Sequence, residues 1–202
     1  PSTAWMTVDM MKGVISNGTG SSAKIKGQTV AGKTGTNSDQ RGVTFSGMTG
    51  WYASAIWVGH DNYRPLSSKS TGNGSAAPIW QSYMSKIHQA KNLSDRDIIE
   101  ATPDQLGIVS ATTCAVSGQL ATDACRNDSM GYGTVTDYWY EPTVPTVYCQ
   151  MHQSMTVCAD TGMLATEYCP NTTVKGVVVI PNGHPLSDYV NDPEYGPVIA
   201  EY

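Results

Sequence analysis

The sequence is poor in charge and has almost no phenylalanine. Charged residues make up 14 % of the 202 residues, and a single Phe stands against eleven Tyr and 20 Gly. Long amphipathic helices place many charged residues on their exposed face, so few such helices are expected, and a turn-rich chain with strands is favoured. A chain of this length can bury one core or two small ones without special cross-links.

Long apolar runs and targeting patterns are also absent. No stretch approaches the roughly 18 apolar residues of a membrane-spanning helix, and the first residues lack the basic start and apolar centre of a signal peptide. The chain opens without Met, so we expect it to be a piece of a longer protein. Its lysines are scattered and no zinc-finger or RNP-like motif accompanies them, which argues against a nucleic-acid partner.

Charge is divided unevenly along the chain. Residues 1–96 hold ten Lys and Arg against four acids, a net charge of +6, whereas residues 97–202 hold two against thirteen, a net charge of −11. The acidic part also contains all five cysteines: Cys114, Cys125, Cys149, Cys158 and Cys169. This change in composition predicts a boundary near Asp97 and two domains, residues 1–96 and 97–202.

The N-terminal part has the pattern of an α+β domain. A helix is predicted from Ser2 or Thr3 to about Gly18, and a second one around Pro78 and Ile87, because apolar residues recur there at helical spacing. Between the helices, short links join three strand-like segments: residues 28–34, 43–48 and 51–58. The sequence therefore predicts an antiparallel sheet with helices packed on it.

The acidic part contains an internal repeat. Two segments of the form C-x10-C share Cys, Ala, Gly, Leu, Ala, Thr and Cys in the same positions: "CAVSGQLATDAC" (residues 114–125) and "CADTGMLATEYC" (residues 158–169). Strand-like residues precede each segment and a Ser-Gly or Thr-Gly turn lies inside it. We therefore predict a small all-β module built from two related halves.

The segment "VAGKTGTNSDQ" (residues 30–40) offers a candidate anion site. The Lys33 ammonium and the Thr34 and Thr36 hydroxyls are suited to binding a carboxylate, and Gly35 leaves room for another backbone. If this strand lies at a sheet edge, a peptide could add alongside it, with a main-chain N–H near Thr36 facing a developing oxyanion. Taken alone, the triplet K-T-G is equally typical of a polar strand that ends in a turn.

Neighbouring segments decide in favour of the site. Three occur in order: "GTGSSAKIKGQTVAGKTGT", "FSGMTGWYASAIWVGHDN" and "AAPIW". Together they resemble the C-terminal half of the transpeptidase domain of class A penicillin-binding proteins, which have a penicillin-binding/β-lactamase-like fold with S-x-x-K, S-x-N and K-T-G motifs. The resemblance covers Pro1 to about Ala90. One departure is that Val43 and Thr44 stand where the family usually carries an acidic and an aromatic residue.

The resemblance implies a bacterial serine D-Ala-D-Ala transpeptidase in cell-wall cross-linking, with peptidoglycan stem peptides as substrates and β-lactam antibiotics as acylating inhibitors. A class A parent is expected to be a glycosyltransferase as well. It is expected to lie on the extracytoplasmic side of the cell membrane, anchored by an N-terminal transmembrane helix not present here. The implied substrate-binding residues are Lys33, Thr34, Gly35 and Thr36, and no cofactor is expected.

The nucleophile of such an enzyme is not evident in the chain. Ser21 and Lys24 fit S-x-x-K, but they lie in a loop close to Lys33, whereas the family's nucleophile would be far upstream on a helix. No S-x-N occurs. We therefore expect both motifs upstream, in the missing N-terminal part of the same protein, and expect this chain alone to be inactive. The alternative is a non-catalytic extracellular binding or interaction module.

The cysteines allow three chemical interpretations. Disulfides Cys114–Cys125 and Cys158–Cys169 would each stabilise the fold by about 3 kcal/mol on the chain-entropy model and leave Cys149 unpaired. Alternatively, Cys149 and His152 could join Cys158 and Cys169 around zinc, although the C-x-x-C pairs of strong zinc sites are absent, so no metal is predicted. Free buried thiols are the third interpretation.

A hydrolase of another type is not predicted. His60 and Asp61 are adjacent and would point to opposite faces of a strand, which makes them a poor base-and-orienter pair. No G-x-S-x-G elbow is present. His88, at the polar end of a helix, and His184, in a loop, are expected to be surface residues.

Overall fold

The computed structural model describes residues 1–180 and Ile199–Ala200, so the prediction for His184 lies outside the described residues. The chain divides into two compact units, here called the N-terminal unit (Pro1–Leu106) and the C-terminal unit (Gly107–Tyr202). This division lies C-terminal to the change in composition near Asp97, and the domain ranges 1–96 and 97–202 stay predictions. In the described residues, every helix is too short or too polar to cross a lipid bilayer.

The N-terminal unit consists of a three-stranded antiparallel sheet and two helices, one before and one after the strands in the sequence. Its elements are α1 (Ser2–Ser16), β1 (Ala31–Thr36), β2 (Gly42–Met48), β3 (Ala53–Gly59) and α2 (Ala77–Ala90). The strands form a meander of order β1-β2-β3, and α1 contacts β1 while α2 contacts β2 and β3. The predicted α+β arrangement is thus confirmed.

Helix α2 shows how the sequence produces the core. A π-helical turn (Gly72–Ala76) leads into it, and Pro78 lies in its first turn, where the missing N–H costs no hydrogen bond. Trp80, Met84 and His88 recur every fourth residue and are all buried on one face. His88 is only 4 % exposed and its Nε2 lies 3.0 Å from Thr49 Oγ1. The prediction that His88 is a surface residue is therefore wrong, because the residue shares the core-facing stripe of the helix.

The sheet is held in register by its central strand. Phe45 of β2 lies opposite Thr34 on one side and Ile56 on the other. Its ring meets Trp80 of α2 edge to face at 5.2 Å between centroids, and both side chains are fully buried. A Cβ added at Gly47 would lie 2.6 Å from the Phe45 ring and 2.8 Å from Trp80, so this close packing requires glycine there.

The C-terminal unit is built from two hairpins. Its elements are β4 (Ile108–Cys114), α3 (Asp123–Arg126), β5 (Thr134–Tyr140), β6 (His152–Cys158), β7 (Thr172–Ile180) and β8 (Ile199–Ala200). Strand β4 pairs antiparallel with β5, and β6 pairs antiparallel with β7, which also pairs in parallel with β8. The predicted all-β module is thus observed as a strand-rich region, which also contains the one-turn helix α3.

The two repeats adopt the same backbone conformation. β4 and β6 each end at the first cysteine of a repeat, and the turn that follows contains Gly118 or Gly162, with φ of 71° and 72°. The N–H groups of these glycines bond to the carbonyls of Cys114 and Cys158, at 2.9 and 2.8 Å. Because only glycine adopts this left-handed conformation at little cost, the conserved spacing of the repeat reflects a shared turn.

Candidate functional site

The strand that carries the K-T-G segment lies at an edge of its sheet. Within the described residues β1 pairs only with β2, with Lys33 opposite Ser46 and Gly35 opposite Thr44. Side chains alternate along a strand, so Lys33 lies on one face and both threonines lie on the other. The second edge of β1 therefore offers backbone groups to which an extended peptide could pair.

Lys33 is exposed, and its charge has no acidic partner among residues 1–180. Its long stem brings Nζ back to the strand backbone, 2.9 Å from the Thr34 carbonyl oxygen. Among residues 1–180, none of the carboxylates lies within ion-pair distance of Lys33. The ammonium next to the β1 backbone is therefore available to an anion, because no neighbouring carboxylate competes for it.

Two loops position the two threonine hydroxyls, one that precedes β1 in the chain and one that follows β3. Thr34 Oγ1 lies 2.8 Å from Thr19 Oγ1, and Thr36 Oγ1 accepts a hydrogen bond of 3.2 Å from the Gly72 N–H. A Cβ at Gly72 would lie 2.6 Å from the Thr44 carbonyl oxygen and 2.8 Å from Thr34 Cβ. Thr19 and Gly72 were missed in the sequence, where they stand in glycine-rich loops without a distinguishing motif.

Packing inside the sheet explains why residue 35 is a glycine. A Cβ at this position would collide with Thr44 Oγ1 of the neighbouring strand. Thr44 is one of the two positions at which the sequence departs from the usual family pattern. The glycine of the K-T-G segment therefore accommodates a cross-strand neighbour, in addition to the predicted role of leaving room for a passing backbone.

The end of β1 is fixed by Asn37. Its side-chain oxygen accepts a hydrogen bond of 2.8 Å from the Gly42 N–H, and its amide nitrogen donates to the Tyr63 hydroxyl at 2.7 Å. In the turn that follows, Asp39 and Gln40 have φ of 60° and 48°. These left-handed non-glycine residues make this a tight connection, which holds β1 and β2 in register next to the threonines.

Ser21 and Lys24 do not form a serine–lysine pair in this structure. Ser21 begins a short 3-10 turn (Ser21–Ala23), and Lys24 Nζ donates to the Ser16 carbonyl oxygen at 2.9 Å. The lysine is thus engaged on the side of α1. The expectation that the nucleophile and the S-x-N motif lie upstream stays a prediction.

All five cysteines are free thiols in the structure, and neither of the candidate disulfides, Cys114–Cys125 and Cys158–Cys169, is formed in it. The ligand atoms of four buried residues instead lie within 4.8 Å of one another: Cys114, Cys125, Cys149 and His152. The zinc alternative of the sequence analysis placed Cys149 and His152 with the second repeat, whereas the structure places them with the first.

Backbone pairing explains this grouping. The Leu120 N–H bonds to the Val147 carbonyl at 3.0 Å, and the Cys149 N–H bonds to the Leu120 carbonyl at 2.8 Å. The segment ending at Cys149 thus runs alongside the middle of the first repeat. No local motif signals this pairing, which is why sequence reasoning assigned the wrong partners.

The environments of two of these thiols differ. Burial raises the pKa of Cys125 to about 11, although hydrogen bonds from Thr122 act in the opposite direction. Burial alone would also raise the pKa of Cys149, but hydrogen bonds from the Ser117 side chain and from His152 outweigh it and lower the pKa to about 6. Of these two sulfurs, Cys149 is therefore the more readily deprotonated.

Comparison with known families gives two separate matches. Residues 1–80 match the penicillin binding protein transpeptidase domain, and residues 105–154 match the C-terminal domain of penicillin-binding protein 1A. The first match contains the K-T-G strand. The second contains the four residues of the cysteine–histidine cluster.

Curated relatives match across both units. Penicillin-binding protein 1A of Clostridium perfringens (strain ATCC 13124) is 30 % identical over 155 residues, which cover 77 % of this chain and 18 % of the relative. Penicillin-binding protein 1A of Clostridium botulinum (strain Langeland) is 32 % identical over 155 residues, covering 75 % and 18 %. The chain thus spans less than a fifth of the length of these relatives.

A solved structure has a similar fold. The crystal structure of penicillin-binding protein 1A from Haemophilus influenzae matches with a TM-score of 0.54 at 20 % sequence identity, over 73 % of this chain and 21 % of that protein. At this identity the likeness concerns the fold alone. It is consistent with the antiparallel sheet and packed helices of the N-terminal unit.

Proposed function

Because this chain is part of a class A penicillin-binding protein, with a transpeptidase segment followed by a C-terminal segment, we propose that strand β1 binds the substrate carboxylate in the transpeptidase site of the whole protein. The bound group is the terminal carboxylate of a peptidoglycan stem peptide, or that of a β-lactam. Lys33, Thr34, Gly35 and Thr36 are the proposed binding residues.

The observation that carries this proposal is the exposed Lys33 ammonium at an edge strand, bonded to the strand backbone but not to a carboxylate of residues 1–180. Lys33 is exposed, has no carboxylate partner in residues 1–180, and shares strand β1 with two threonines whose hydroxyls other segments hold in place. A carboxylate gains charge-assisted hydrogen bonds from such groups. The edge of β1 can pair with the peptide that carries the carboxylate, which favours an extended peptide over a small free anion.

The proposed reaction is acyl transfer. A serine outside this chain attacks the D-Ala-D-Ala carbonyl to form an acyl-enzyme, releases D-Ala, and a neighbouring stem-peptide amine then takes the acyl group. A backbone N–H near Thr36 would stabilise the oxyanion of each tetrahedral intermediate. The whole protein is proposed to act on the extracytoplasmic side of a bacterial membrane and to carry glycosyltransferase activity as well.

The test is acylation of the whole protein by a fluorescent penicillin. Lys33→Ala should lower the second-order acylation rate constant by about tenfold or more, because a charge-assisted bond to the carboxylate is lost. Lys86→Ala removes the same charge from an exposed position on α2 and should leave the rate unchanged. Equal rates for the Lys33→Ala variant and the wild type would refute the proposed role.

The 202-residue chain provides a second test. We expect no covalent labelling of this chain alone, because the proposed nucleophile lies outside it. Labelling that disappears in Ser21→Ala would instead identify Ser21 as a nucleophile and overturn the assignment. A non-catalytic binding module is the alternative function, and no contact in the described residues favours it over the transpeptidase.

A further inference from the structure

We propose that Cys114, Cys125, Cys149 and His152 bind one structural zinc ion in the C-terminal unit. The four residues come from three places: Cys114 ends β4, Cys125 lies in helix α3, and Cys149 and His152 lie just before and at the start of β6. All four are buried, and their ligand atoms lie within 4.8 Å of one another. Three thiolates and one imidazole form a ligand set that tetrahedral structural zinc sites use.

The distances approach those of a tetrahedral site. His152 Nδ1 lies 3.3 Å from Cys114 Sγ and 3.6 Å from Cys149 Sγ. With the usual zinc–ligand bond lengths, the N–S edges of a tetrahedron are about 3.6 Å and the S–S edges about 3.8 Å. These two nitrogen–sulfur separations are close to the tetrahedral value. Every other separation in the group is at most 4.8 Å, so it would close by about 1 Å or less on binding, which small side-chain rotations can supply.

Asp128 supports His152 from the side away from the sulfurs. Its Oδ1 lies 3.4 Å from His152 Nε2, and both side chains are completely buried. In the part of the chain that the structure describes, neither of these two atoms has another hydrogen-bond partner. The second oxygen of Asp128 accepts a bond of 2.8 Å from the Tyr132 N–H. A metal on Nδ1 places the ring proton on Nε2, where it faces the carboxylate, and this is the arrangement that orients metal-binding histidines.

Backbone N–H groups face the sulfurs. Cys114 Sγ lies 3.4 Å from the N–H groups of both Val116 and Ser117. Cys125 Sγ lies 3.4 Å from the Thr122 N–H. Donors arranged in this way stabilise the negative charge of metal-bound thiolates. They also fix the direction of two ligands before the metal binds.

A disulfide explains less of this geometry. A disulfide between Cys114 and Cys125 would leave Cys149 as an unpaired buried thiol. It would also not explain why buried His152 faces a buried carboxylate. A zinc ion uses all four side chains and leaves no open coordination position, as expected for a structural site rather than a catalytic one. Soft thiolates with imidazole in a tetrahedral arrangement favour zinc over magnesium or calcium.

The second repeat provides a built-in control. The Thr166 N–H lies 3.3 Å from Cys169 Sγ, as the Thr122 N–H does from Cys125. Among the described residues, however, only Cys114, Cys125, Cys149 and His152 come together as such a group. Cys169 is therefore a cysteine in the same local setting but outside the proposed ligand set.

The test is the metal content of the 202-residue chain, purified under reducing conditions with Zn²⁺ supplied and measured by inductively coupled plasma mass spectrometry. The wild type should retain a zinc ion that Cys149→Ser loses, whereas Cys169→Ser should retain it. Asp128→Asn should keep the ligands but weaken Zn²⁺ binding about 10- to 100-fold in a chelator competition, because Asp128 is a positioning residue. Zinc retained by Cys149→Ser, or lost equally from Cys169→Ser, would overturn the assignment.

A second measurement covers the case in which Cys149→Ser does not fold. Co²⁺ added to the metal-free wild-type chain should produce thiolate-to-cobalt charge-transfer absorption and the strong ligand-field bands of tetrahedral coordination. Added Zn²⁺ should then displace the cobalt and remove these bands. A wild-type chain that gives no such spectrum when fully reduced would refute the site.

Discussion

Replacing Gly72 by alanine should destabilise the N-terminal unit, because the turn before α2 packs closely against β1 and β2. Gly72 lies in the turn before α2, and a Cβ there would come within 2.6 Å of the Thr44 carbonyl oxygen and 2.8 Å of Thr34 Cβ. Neither the sheet backbone nor a strand Cβ can rotate away, so the turn itself must move. That movement would also break the hydrogen bond from the Gly72 N–H to Thr36 Oγ1.

The magnitude follows from these contacts. Overpacking of this kind costs about 1–3 kcal/mol, and the lost hydrogen bond costs about 1 kcal/mol. The reduced freedom of the unfolded chain offsets about 0.4–1 kcal/mol. A net loss of about 2 kcal/mol should lower the melting temperature of a unit of this size by about 10 °C.

The assay is thermal unfolding of the 202-residue chain followed by tryptophan fluorescence, which reports mainly on the N-terminal unit because four of the five tryptophans lie there. Gly74→Ala is the matched control. Its added Cβ would meet only Thr71 Oγ1, at 3.1 Å, in the same turn. If the two variants melt at the same temperature, the close approach of Gly72 to β1 does not constrain the fold, and the reasoning is refuted.

Other substitutions test separate parts of the structure. Phe45→Ala should destabilise the N-terminal unit by about 3–5 kcal/mol, because the ring is fully buried against Trp80; denaturant unfolding measures this loss. Thr49→Val should cost about 1–3 kcal/mol by leaving buried His88 Nε2 unpaired, and an unchanged midpoint would contradict that pairing. Gly118→Ala should cost about 1–2 kcal/mol through its φ of 71° alone, since a Cβ there meets nothing within 4 Å. If the zinc proposal holds, a strong chelator should lower the melting temperature of the C-terminal unit in the wild type and leave that of Cys149→Ser unchanged.

The elements of the N-terminal unit could be predicted because their signals are local. Apolar residues at helical spacing placed α1 and α2, and short links between strand-like segments placed the meander. The surface prediction for His88 is wrong although the sequence contains the signal for burial, since His88 follows Trp80 and Met84 at the same four-residue spacing. The polarity of histidine favours the surface, but the position of His88 on the core-facing stripe of α2 decides its burial.

The candidate site was only partly accessible to the same reasoning. The residue types of the K-T-G segment predicted an anion-binding strand, and the resemblance supplied the substrate. The parts that hold the threonines, Thr19 and Gly72, come from loops far apart in the sequence. Contacts between loops leave no periodic pattern in a sequence, so only the folded chain reveals them.

The cysteines show most clearly which features the sequence determines and which only the tertiary structure decides. By itself the sequence determined that the chain carries a repeated C-x10-C unit whose turns require glycine, because chain geometry over a few residues dictates that conformation. Only the tertiary structure decided that Cys149 and His152 join Cys114 and Cys125, since backbone pairing at Leu120 brings distant segments together. Ligand sets depend on distances in space, and separation along the chain does not fix those distances.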